Sequence, residues 1–467
     1  MSGTISRVQP VAKRFLTPFQ LIKSLFLLLV LIPAFAFIST QHEMAWADDQ
    51  VREARALLKR ASQLGEKLEI PGEQSTLYEA IARALIKAGD KTGALALARS
   101  FEPGLLRNSA YGAIAESQAA AGNLKEALKT AHFIGDPYHN SRAIEAVVLE
   151  YVRSSNFKSA IETAQLIKSD VLRIGALTEI AAAQVKAGDT VGAFQLVDRA
   201  QDDYGKSRIV GGIAAAQVEQ GENDAALKTA ANFKGKSFSD WPLYEVAKAL
   251  ARAGNLRMAR EMAEKLREQL RFVTWEEIAV EQAKMGDVKG ALELASSIPR
   301  PIHRYDNLPS VQLGAIGRIA NAQAQTGDFK GALETAALIP PDVRGCDICG
   351  SYKDEVIGKI GRIRAERKQY LAALEIAGSL KFYEKEEIIK TVAVTQADDG
   401  EIENALQTVS TIENIHYRAT TFQRISLSWT KTGKKAAALA WAEKLSAPLE
   451  RAHAMVGIAD GLLSSKR

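Results

Sequence analysis

The stretch LTEIAAAQVKAGDTVGAFQLVDRA, residues 177–200, decides the fold because near copies of it recur along almost the whole chain. Its first half places four residues on one helical face: Leu177, Ile180, Ala181 and Gln184. Gly188 then interrupts the pattern, as glycine does just past a helix end. A second stripe follows at Ala193, Val197 and Ala200. Two short helices around a glycine turn cannot bury such stripes alone, so each pair must stack on its neighbours.

Eleven copies of this unit follow one another, mostly at a period of 33 residues, with two steps of 32 and two of 41. The turn positions are Gly89, Gly122, Ser155, Gly188, Gly221, Gly254, Gly286, Gly327, Lys368, Gly400 and Gly433. Isoleucine or valine stands eight residues before every turn, and alanine stands five residues after it. The repeat predicts an all-α superhelix, a solenoid of about eleven helix-turn-helix repeats that forms one elongated body.

The unit resembles the tetratricopeptide repeat (TPR), which has a small residue in the first helix, a Gly-Asp or Gly-Asn turn and alanines along the second helix. The resemblance covers residue 77 to the C-terminus and is that of a divergent TPR-like α-solenoid. One departure concerns the aromatic residue expected four positions before the turn, which is aromatic only at Tyr151 and Trp429. Glutamine takes this position in six units: Gln118, Gln184, Gln217, Gln282, Gln323 and Gln396.

Residues 1–47 lie before the repeats and have the pattern of a secretory signal peptide. A basic region precedes the apolar run at residues 24–38, and Ala45-Trp46-Ala47 supplies a small-x-small cleavage site. The run is short for a membrane span. We expect cleavage near Ala47, export to the periplasm or the cell exterior, and no membrane span in the mature chain. The alternative is an uncleaved signal anchor that tethers the solenoid to the membrane.

The repeats have an expected cap at each end. Residues 48–76 form a capping helix and its connector, with a charged outer face that suits an exposed solenoid end. The repeat array runs over 77–448, and 449–467 form a C-terminal capping helix that lacks a partner. The chain has 60 Lys and Arg against 55 Asp and Glu, and residues 1–47 hold four basic and one acidic, which leaves 56 against 54. This near-neutral charge argues against nucleic-acid binding.

Two insertions cause the two 41-residue steps, at 297–312 and at 339–355. Both follow a second helix, so we expect them on the same edge of the solenoid, where binding loops are common. The first insertion offers Arg300, His303, Arg304 and Tyr305 as binding residues. The second contains Cys346 and Cys349, the only cysteines, which predict a local disulfide in an exported protein. A thiol-redox role of this pair is the alternative.

The TPR resemblance implies that the first helices line the inner face, where a partner binds. Trp241, Tyr244 and Lys248 share a helix face there, and aromatic side chains are frequent binding anchors. Asn321 and Arg362 stand six residues before their turns on the same expected face. Ten residues before the turn, four units carry glycine, which we expect to leave a groove: Gly112, Gly211, Gly317 and Gly358.

Neither His-Glu-x-x-His nor Gly-x-Ser-x-Gly occurs, and no other catalytic constellation is recognised. We therefore predict a protein that is not an enzyme, without cofactor or metal. Its expected role is that of a non-catalytic scaffold of a bacterial-type cell envelope, the periplasm, which binds a protein or peptide. The alternative is an accessory module that positions an envelope enzyme acting on glycan or peptidoglycan.

Overall fold

The structure, a computed structural model, describes residues 48–235, 238–299, 311–341 and 352–464. These residues form 24 α-helices and one 3₁₀ turn, with no strand among them. The prediction of an all-α solenoid is confirmed. The expected signal peptide lies outside the described residues, as does most of each insertion.

Helix α1 spans 48–65, and helices α2 to α23 follow as pairs around the predicted turns. We call the first helix of each pair an A helix. The eleven A helices are α2 Pro71–Lys87, α4 Leu105–Ala120, α6 Pro137–Arg153, α8 Asp170–Lys186, α10 Asp203–Glu219, α12 Trp241–Arg252, α14 Glu268–Lys284, α16 Val311–Thr326, α18 Tyr352–Glu366, α20 Phe382–Asp398 and α22 Ile415–Lys431. We call the second helix of each pair a B helix. The eleven B helices are α3 Lys91–Ser100, α5 Leu124–Ala131, α7 Phe157–Ala164, α9 Thr190–Gln195, α11 Asn223–Ala231, α13 Leu256–Ala263, α15 Val288–Ser296, α17 Phe329–Ala337, α19 Tyr370–Ser379, α21 Ile402–Val409 and α23 Lys435–Ala442. The last helix, α24, spans Pro448–Ser464.

The turn between each A and B helix has the left-handed backbone that glycine favours. All eleven turn residues have a positive φ, from 56° at Ser155 to 98° at Gly327. In the unit quoted above, the Gly188 N–H donates to the Val185 carbonyl at 2.9 Å and the Asp189 N–H donates to the Gln184 carbonyl at 2.8 Å. These bonds satisfy the last carbonyls of the A helix. The Asp189 carboxylate then accepts from the N–H of Gly192 and caps the B helix.

The apolar positions of the repeat are buried throughout. Each isoleucine or valine eight residues before a turn is at most 1% exposed, and each alanine five residues after a turn is fully buried. Small alanines let neighbouring helices approach closely, and the branched side chain fills the space beside them. The stability of the array therefore comes from contacts between successive hairpins.

The second helix of the quoted stretch is shorter than predicted. Helix α9 ends at Gln195, and Val197–Arg199 form a 3₁₀ turn. Ala193 and Ala200 are buried as expected, but they lie on different elements. A 3₁₀ segment at a helix end tightens the last turn without moving the apolar side chains away from the core.

The two ends of the array meet, so the solenoid closes into a ring. Helix α2 packs against α24, and α1 lies beside α23. We call these contacts the seam. Across it, Lys435 Nζ lies 2.7 Å from Glu53, and an Arg60 guanidinium nitrogen lies 3.0 Å from Glu443. Lys87 Nζ donates to Ser464 Oγ at 2.7 Å. The expectation of an elongated body with two exposed ends is therefore wrong.

The seam is built from two half-hairpins. Ala61 precedes Ile81 by 20 residues, the same separation as from Ala94 to Ile114, so α1 is in the register of a B helix. Helix α24 repeats the A-helix pattern and carries the fully buried Ile458. The helices predicted as caps thus supply the A and B helices of a twelfth position. Their apolar faces are buried against the opposite end of the chain rather than turned to solvent.

The A helices form the inner layer of the ring. Each A helix, including α24, packs against the A helix before it and the one after it. The B helices in the described ranges pack on A helices but not closely on one another. In a closed ring, the inner layer has the smaller circumference, so its helices contact one another while the helices of the outer layer are spread apart. We call the solvent-facing side of the A helices the inner wall.

Candidate binding surface on the inner wall

Several charged side chains of the inner wall pair with a neighbouring A helix. Arg83 lies 2.8 Å from Glu116, and Lys186 lies 2.7 Å from Glu219. Each pair joins the A helices of consecutive hairpins. Such partly exposed ion pairs add little stability individually. Each of these pairs neutralises one cation of the wall with a carboxylate of the next A helix.

One partly buried cluster of these pairs centres on Arg318 of α16. Its guanidinium lies 3.0 Å from Glu276 and 3.1 Å from Glu277, both on α14. Burial raises the pKa of Glu276, and the Arg318 hydrogen bond only partly offsets this. Burial also acts to raise the pKa of Glu277, but Arg318, Arg252 and Lys248 outweigh it, so that pKa lies below its ordinary value. The two carboxylates therefore have opposite shifts around one cation.

Trp241, Tyr244 and Lys248 come together as predicted, but they contact each other and the preceding hairpin. The Trp241 and Tyr244 ring centroids are 5.2 Å apart, and the Arg208 guanidinium lies 4.9 Å from the Trp241 ring. Lys248 Nζ lies 4.9 Å from the Tyr244 ring and 2.6 Å from Glu245. Tyr244 is only 8% exposed, and burial raises its pKa to about 12. The aromatic rings and the ammonium group are thus largely engaged within the fold.

Trp241 has one feature that fits a binding role. Its indole N–H is buried and has no hydrogen-bond partner among the described residues. The ring borders a cavity of about 460 Å³ that Phe238 and residues 267–270 also line. This cavity lies where α12 and α14 begin, at the edge of the ring rather than in the middle of the inner wall.

Asn321 and Arg362 lie on α16 and α18, two and three hairpins away from the Trp241 cluster. Arg362 lies 2.7 Å from Glu384 of the next A helix, and burial raises the pKa of Glu384 despite this ion pair. The side-chain oxygen of Asn321 is buried and has no partner among the described residues. The structure therefore does not join these predicted residues into one site. Arg300, His303, Arg304, Tyr305, Cys346 and Cys349 lie outside the described residues.

The expected groove along the glycine row is wrong at three of its four positions. A Cβ on Gly211 would lie 3.0 Å from Glu245 Cγ, one on Gly317 would lie 2.5 Å from the Tyr352 hydroxyl, and one on Gly358 would lie 2.2 Å from a Glu384 oxygen. Only Gly112 faces open space. At the other three positions the glycines let the side chains of the next A helix approach the backbone, so they are packing positions.

Two clefts do open on the inner wall. The larger, of about 620 Å³, lies between α20 and α22 with the end of α18 beside it. Its lining consists of Glu366, Lys390, Thr391, Val394, Thr395, Asp398, Thr420, Gln423 and Arg424. The smaller, of about 270 Å³, lies between α4 and α6. We call them the Arg424 cleft and the Arg142 cleft.

Sequence reasoning missed the residues of the Arg424 cleft, although their register could have shown them. Thr391 and Arg424 stand nine residues before their turns, on the same helix face as the row six before the turn that the sequence analysis chose. Extending that row by one helical turn would have named both. Whether the charged side chains around them are free depends on ion pairs between helices, and the residue pattern of a single helix face does not reveal these pairs.

The described residues place polar side chains on the inner wall. They contain no group of three His, Cys, Asp or Glu side chains placed to hold a metal ion. None of the described helices has the length and apolar character that a bilayer crossing requires. The Arg424 cleft on the inner wall offers hydroxyl, amide, carboxylate and guanidinium groups.

No model of a known protein family matches the sequence. A search of curated proteins finds no match either. Among solved structures, Ton1535 from Thermococcus onnurineus NA1 is similar at 15% identity over 67% of this chain and 97% of its own, with a TM-score of 0.25. The pentatricopeptide repeat protein PPR10 from maize is similar at 13% identity over 88% of this chain and 66% of its own, with a TM-score of 0.34. At these TM-scores neither similarity carries an argument.

This chain's own hairpins, with their left-handed turns and buried alanines, carry the assignment of the fold. The chain is a TPR-like helical solenoid. It differs from an open solenoid in that its two ends complete one another.

Proposed function

We propose that this protein is a non-catalytic binding scaffold that holds a peptide or protein segment against its inner wall. The observation that carries the proposal is the Arg424 cleft, a large polar opening on a wall whose other charges are mostly paired. Ligand sites are concave and place a few convergent polar groups at fixed positions. A rigid ring of packed helices supplies such positions.

A peptide suits this wall better than a nucleic acid does. Phosphate contacts need several unpaired Lys or Arg side chains along one surface. Here the basic residues of the wall are mostly committed, as Arg83 is to Glu116, Lys186 to Glu219 and Arg362 to Glu384. Apart from residues 1–47 the chain is also nearly neutral. Both facts support a partner with mixed charge.

We place this scaffold in the cell envelope because of the signal-peptide pattern of residues 1–47. A partner in the same compartment follows from that pattern. If this partner is a glycan- or peptidoglycan-acting enzyme, the ring serves as an accessory module that positions it.

The test is affinity capture from envelope extract with the folded ring as bait. Replacement Thr391→Trp fills the Arg424 cleft, and Ala120→Trp fills the Arg142 cleft as a matched control. We expect one set of partners to be captured by the wild type and the Ala120 variant and lost from the Thr391 variant. Equal capture by all three proteins would contradict the proposed site, and a hydrolase among the partners would favour the accessory module.

The Trp241 cluster is tested in the same experiment by Trp241→Ala. Its ring already packs against Arg208 and Tyr244, so we expect capture to continue at a level close to that of the wild type. Loss of capture in this variant alone would move the binding site to the cavity at the start of α12. Circular dichroism of each variant separates lost binding from lost folding.

A further inference from the structure

The Arg424 cleft has opposite charges at its two ends. Its acids, Glu366 and Asp398, each stand two residues before a turn, at the C-terminal ends of α18 and α20. Its cations, Lys390 and Arg424, stand near the middle of α20 and α22. Lys390 precedes Asp398 by eight residues, which is about 12 Å along a helix axis. The cleft therefore has cations at the level of the helix middles and two carboxylates at the C-terminal helix ends.

The cation end is only partly neutralised. Lys390 Nζ lies 3.3 Å from Glu387 and 5.5 Å from the Tyr417 ring. The Arg424 guanidinium has no ion pair or hydrogen bond with the rest of the described chain, and its side chain is exposed. A guanidinium offers five N–H donors in a planar fork that fits a carboxylate. Arg424 is thus an available carboxylate-binding group in this cleft.

The opposite end holds free acceptors. Asp398 accepts a hydrogen bond from Ser428 of α22, but a carboxylate has further lone pairs. Glu366 is exposed, and its side chain has no ion pair or hydrogen bond with another described residue. Beside Lys390, the Thr391 hydroxyl donates to the Glu387 carbonyl at 2.7 Å. One helical turn nearer the acidic end, the Thr395 hydroxyl donates to the Thr391 carbonyl. Because each hydroxyl proton is used in these bonds, the hydroxyl oxygens can only accept further hydrogen bonds. The N–H groups of a peptide can donate to them.

The Arg142 cleft shows that this arrangement is not general to the wall. There, Arg142 lies 2.9 Å from Glu145, and Arg153 pairs with Glu150. Glu116, also in its lining, pairs with Arg83. Every charged side chain of the Arg142 cleft thus has a partner within the fold, whereas the Arg424 cleft leaves a cation and a carboxylate unpaired.

We propose that the Arg424 cleft binds an extended peptide segment with an acidic and a basic side chain four residues apart. The acidic side chain lies at Arg424, and the basic side chain lies between Glu366 and Asp398. Residues four apart in an extended strand point to the same side and are about 13 Å apart. This is close to the roughly 12 Å of helix axis that separates the level of Lys390 from that of Asp398. This inference rests on the proposed binding role and specifies the class of ligand.

The experiment measures fluorescence anisotropy with the full ring and two amidated peptides that carry the same uncharged fluorophore. One has the sequence Gly-Glu-Val-Thr-Val-Lys-Gly, and the other has glutamine in place of both charged residues. The variants are Arg424→Gln and Glu366→Gln, each at an exposed position. Arg153→Gln is the matched control, because it removes an exposed inner-wall arginine from the other cleft.

We expect the charged peptide to bind the wild type and the Arg153 variant at least tenfold more tightly than the glutamine peptide, as a charge-assisted contact requires. We expect Arg424→Gln to remove most of this difference in affinity between the two peptides and Glu366→Gln to reduce the difference about threefold. Arg424→Glu reverses it toward a peptide with lysine at both charged positions.

Two results would overturn the inference. One is equal binding of both peptides to the wild type, and the other is a preference that survives Arg424→Gln. If partner capture from extract still depends on Thr391 in either case, the scaffold proposal stands and only the ligand class is wrong. If that dependence is also absent, both proposals fail.

Discussion

Glutamine replaces an aromatic residue four positions before six of the turns, and the unit that turns at Gly327 shows what this side chain can do. In the unit that turns at Gly327, the Gln323 amide donates to the Asp328 carboxylate at 3.1 Å and its oxygen accepts from the Thr335 hydroxyl at 2.7 Å. One side chain thereby links the A helix, the turn and the B helix. All these groups are polar and partly buried. Leaving one of them without a hydrogen bond would cost more free energy than each bond adds to the stability of the fold.

Ser155 offers the clearest test of the turn geometry. Its φ is 56°, in the left-handed region, where a side chain costs about 1 kcal/mol relative to glycine. Ser155→Gly should therefore raise the free energy of unfolding by about 1 kcal/mol. The reverse change, Gly188→Ala at a φ of 87°, should lower it by a similar amount. Urea unfolding followed by circular dichroism measures both, and equal stabilities of the two variants would contradict the turn assignment.

His453 should make the stability depend on pH. It is fully buried on α24, and burial, together with the charge of His416, lowers its pKa from 6.5 to about 4. The folded state favours the neutral ring, so this contribution is complete above pH 6.5 and is lost as the pH falls toward 4. The expected loss between pH 7 and pH 5 is about 2 kcal/mol.

The pH effect is assigned by comparing variants. His453→Gln should remove this part of the loss, while His132→Gln, at an exposed position, should keep it. The readout is the free energy of unfolding at pH 7, 6 and 5 for the three proteins. Parallel pH profiles for the wild type and the His453 variant would refute the role of this histidine.

At the level of elements, α22 and α24 make the closest helix contact on the inner wall. A Cβ on Gly457 would lie 2.0 Å from the Gln423 carbonyl oxygen, and the Ser426 hydroxyl donates to the Ala454 carbonyl at 2.9 Å. A backbone atom at this distance cannot move aside as the end of a flexible side chain can. The absence of a side chain at Gly457 is thus required for α24 to take its place in the ring.

Gly457→Ala should accordingly lower the free energy of unfolding by about 2 kcal/mol or more, since overpacking forces the helices apart. The control is Gly378→Ala in α19, where a Cβ meets nothing within 4 Å. That change should stabilise the protein by about 0.5–1 kcal/mol, because alanine is the better helix residue. Thermal and urea unfolding of the two variants should give shifts of opposite sign.

The elements were predictable because their signals are local. The spacing of Ile180, Gly188 and Ala193 fixes a helix, a turn and a second helix, and the same three positions recur in every unit. The end of α9 was not predictable in this way, because Val197 keeps its apolar spacing within a 3₁₀ turn. The Arg424 cleft was missed because its open character depends on which charges pair between helices, and a helical stripe does not carry that information.

At the level of the whole molecule, closure of the ring was beyond the sequence pattern. The period determines that neighbours pack, but the small rotation from one hairpin to the next determines whether the ends meet. Helix α1 has the register of a B helix, and that match becomes meaningful only when α23 is seen beside it. The charged residues Glu53 and Arg60, which suggested an exposed cap, pair instead with the opposite end of the chain.

Disrupting α1 should open the ring. Leu58 is fully buried on α1, whereas the adjacent Lys59 is exposed. Leu58→Asp places an unpaired charge in the apolar contact and should release α1, which increases the radius of gyration in small-angle X-ray scattering. Lys59→Asp should leave it unchanged. An identical scattering profile for the Leu58 variant, with its helices intact, would mean that α1 does not hold the seam.

The most direct test of the closed ring is carbodiimide crosslinking, which joins a lysine to a carboxylate only where the two are in contact. We expect two crosslinks within the monomer, Lys435 to Glu53 and Lys87 to Asp460, because the atoms are 2.7 Å and 3.2 Å apart. Lys186 to Glu219, at 2.7 Å between consecutive hairpins, is the internal control. Peptide mass spectrometry of the monomer band that shows all three crosslinks supports the ring. The control crosslink without either seam crosslink would contradict it.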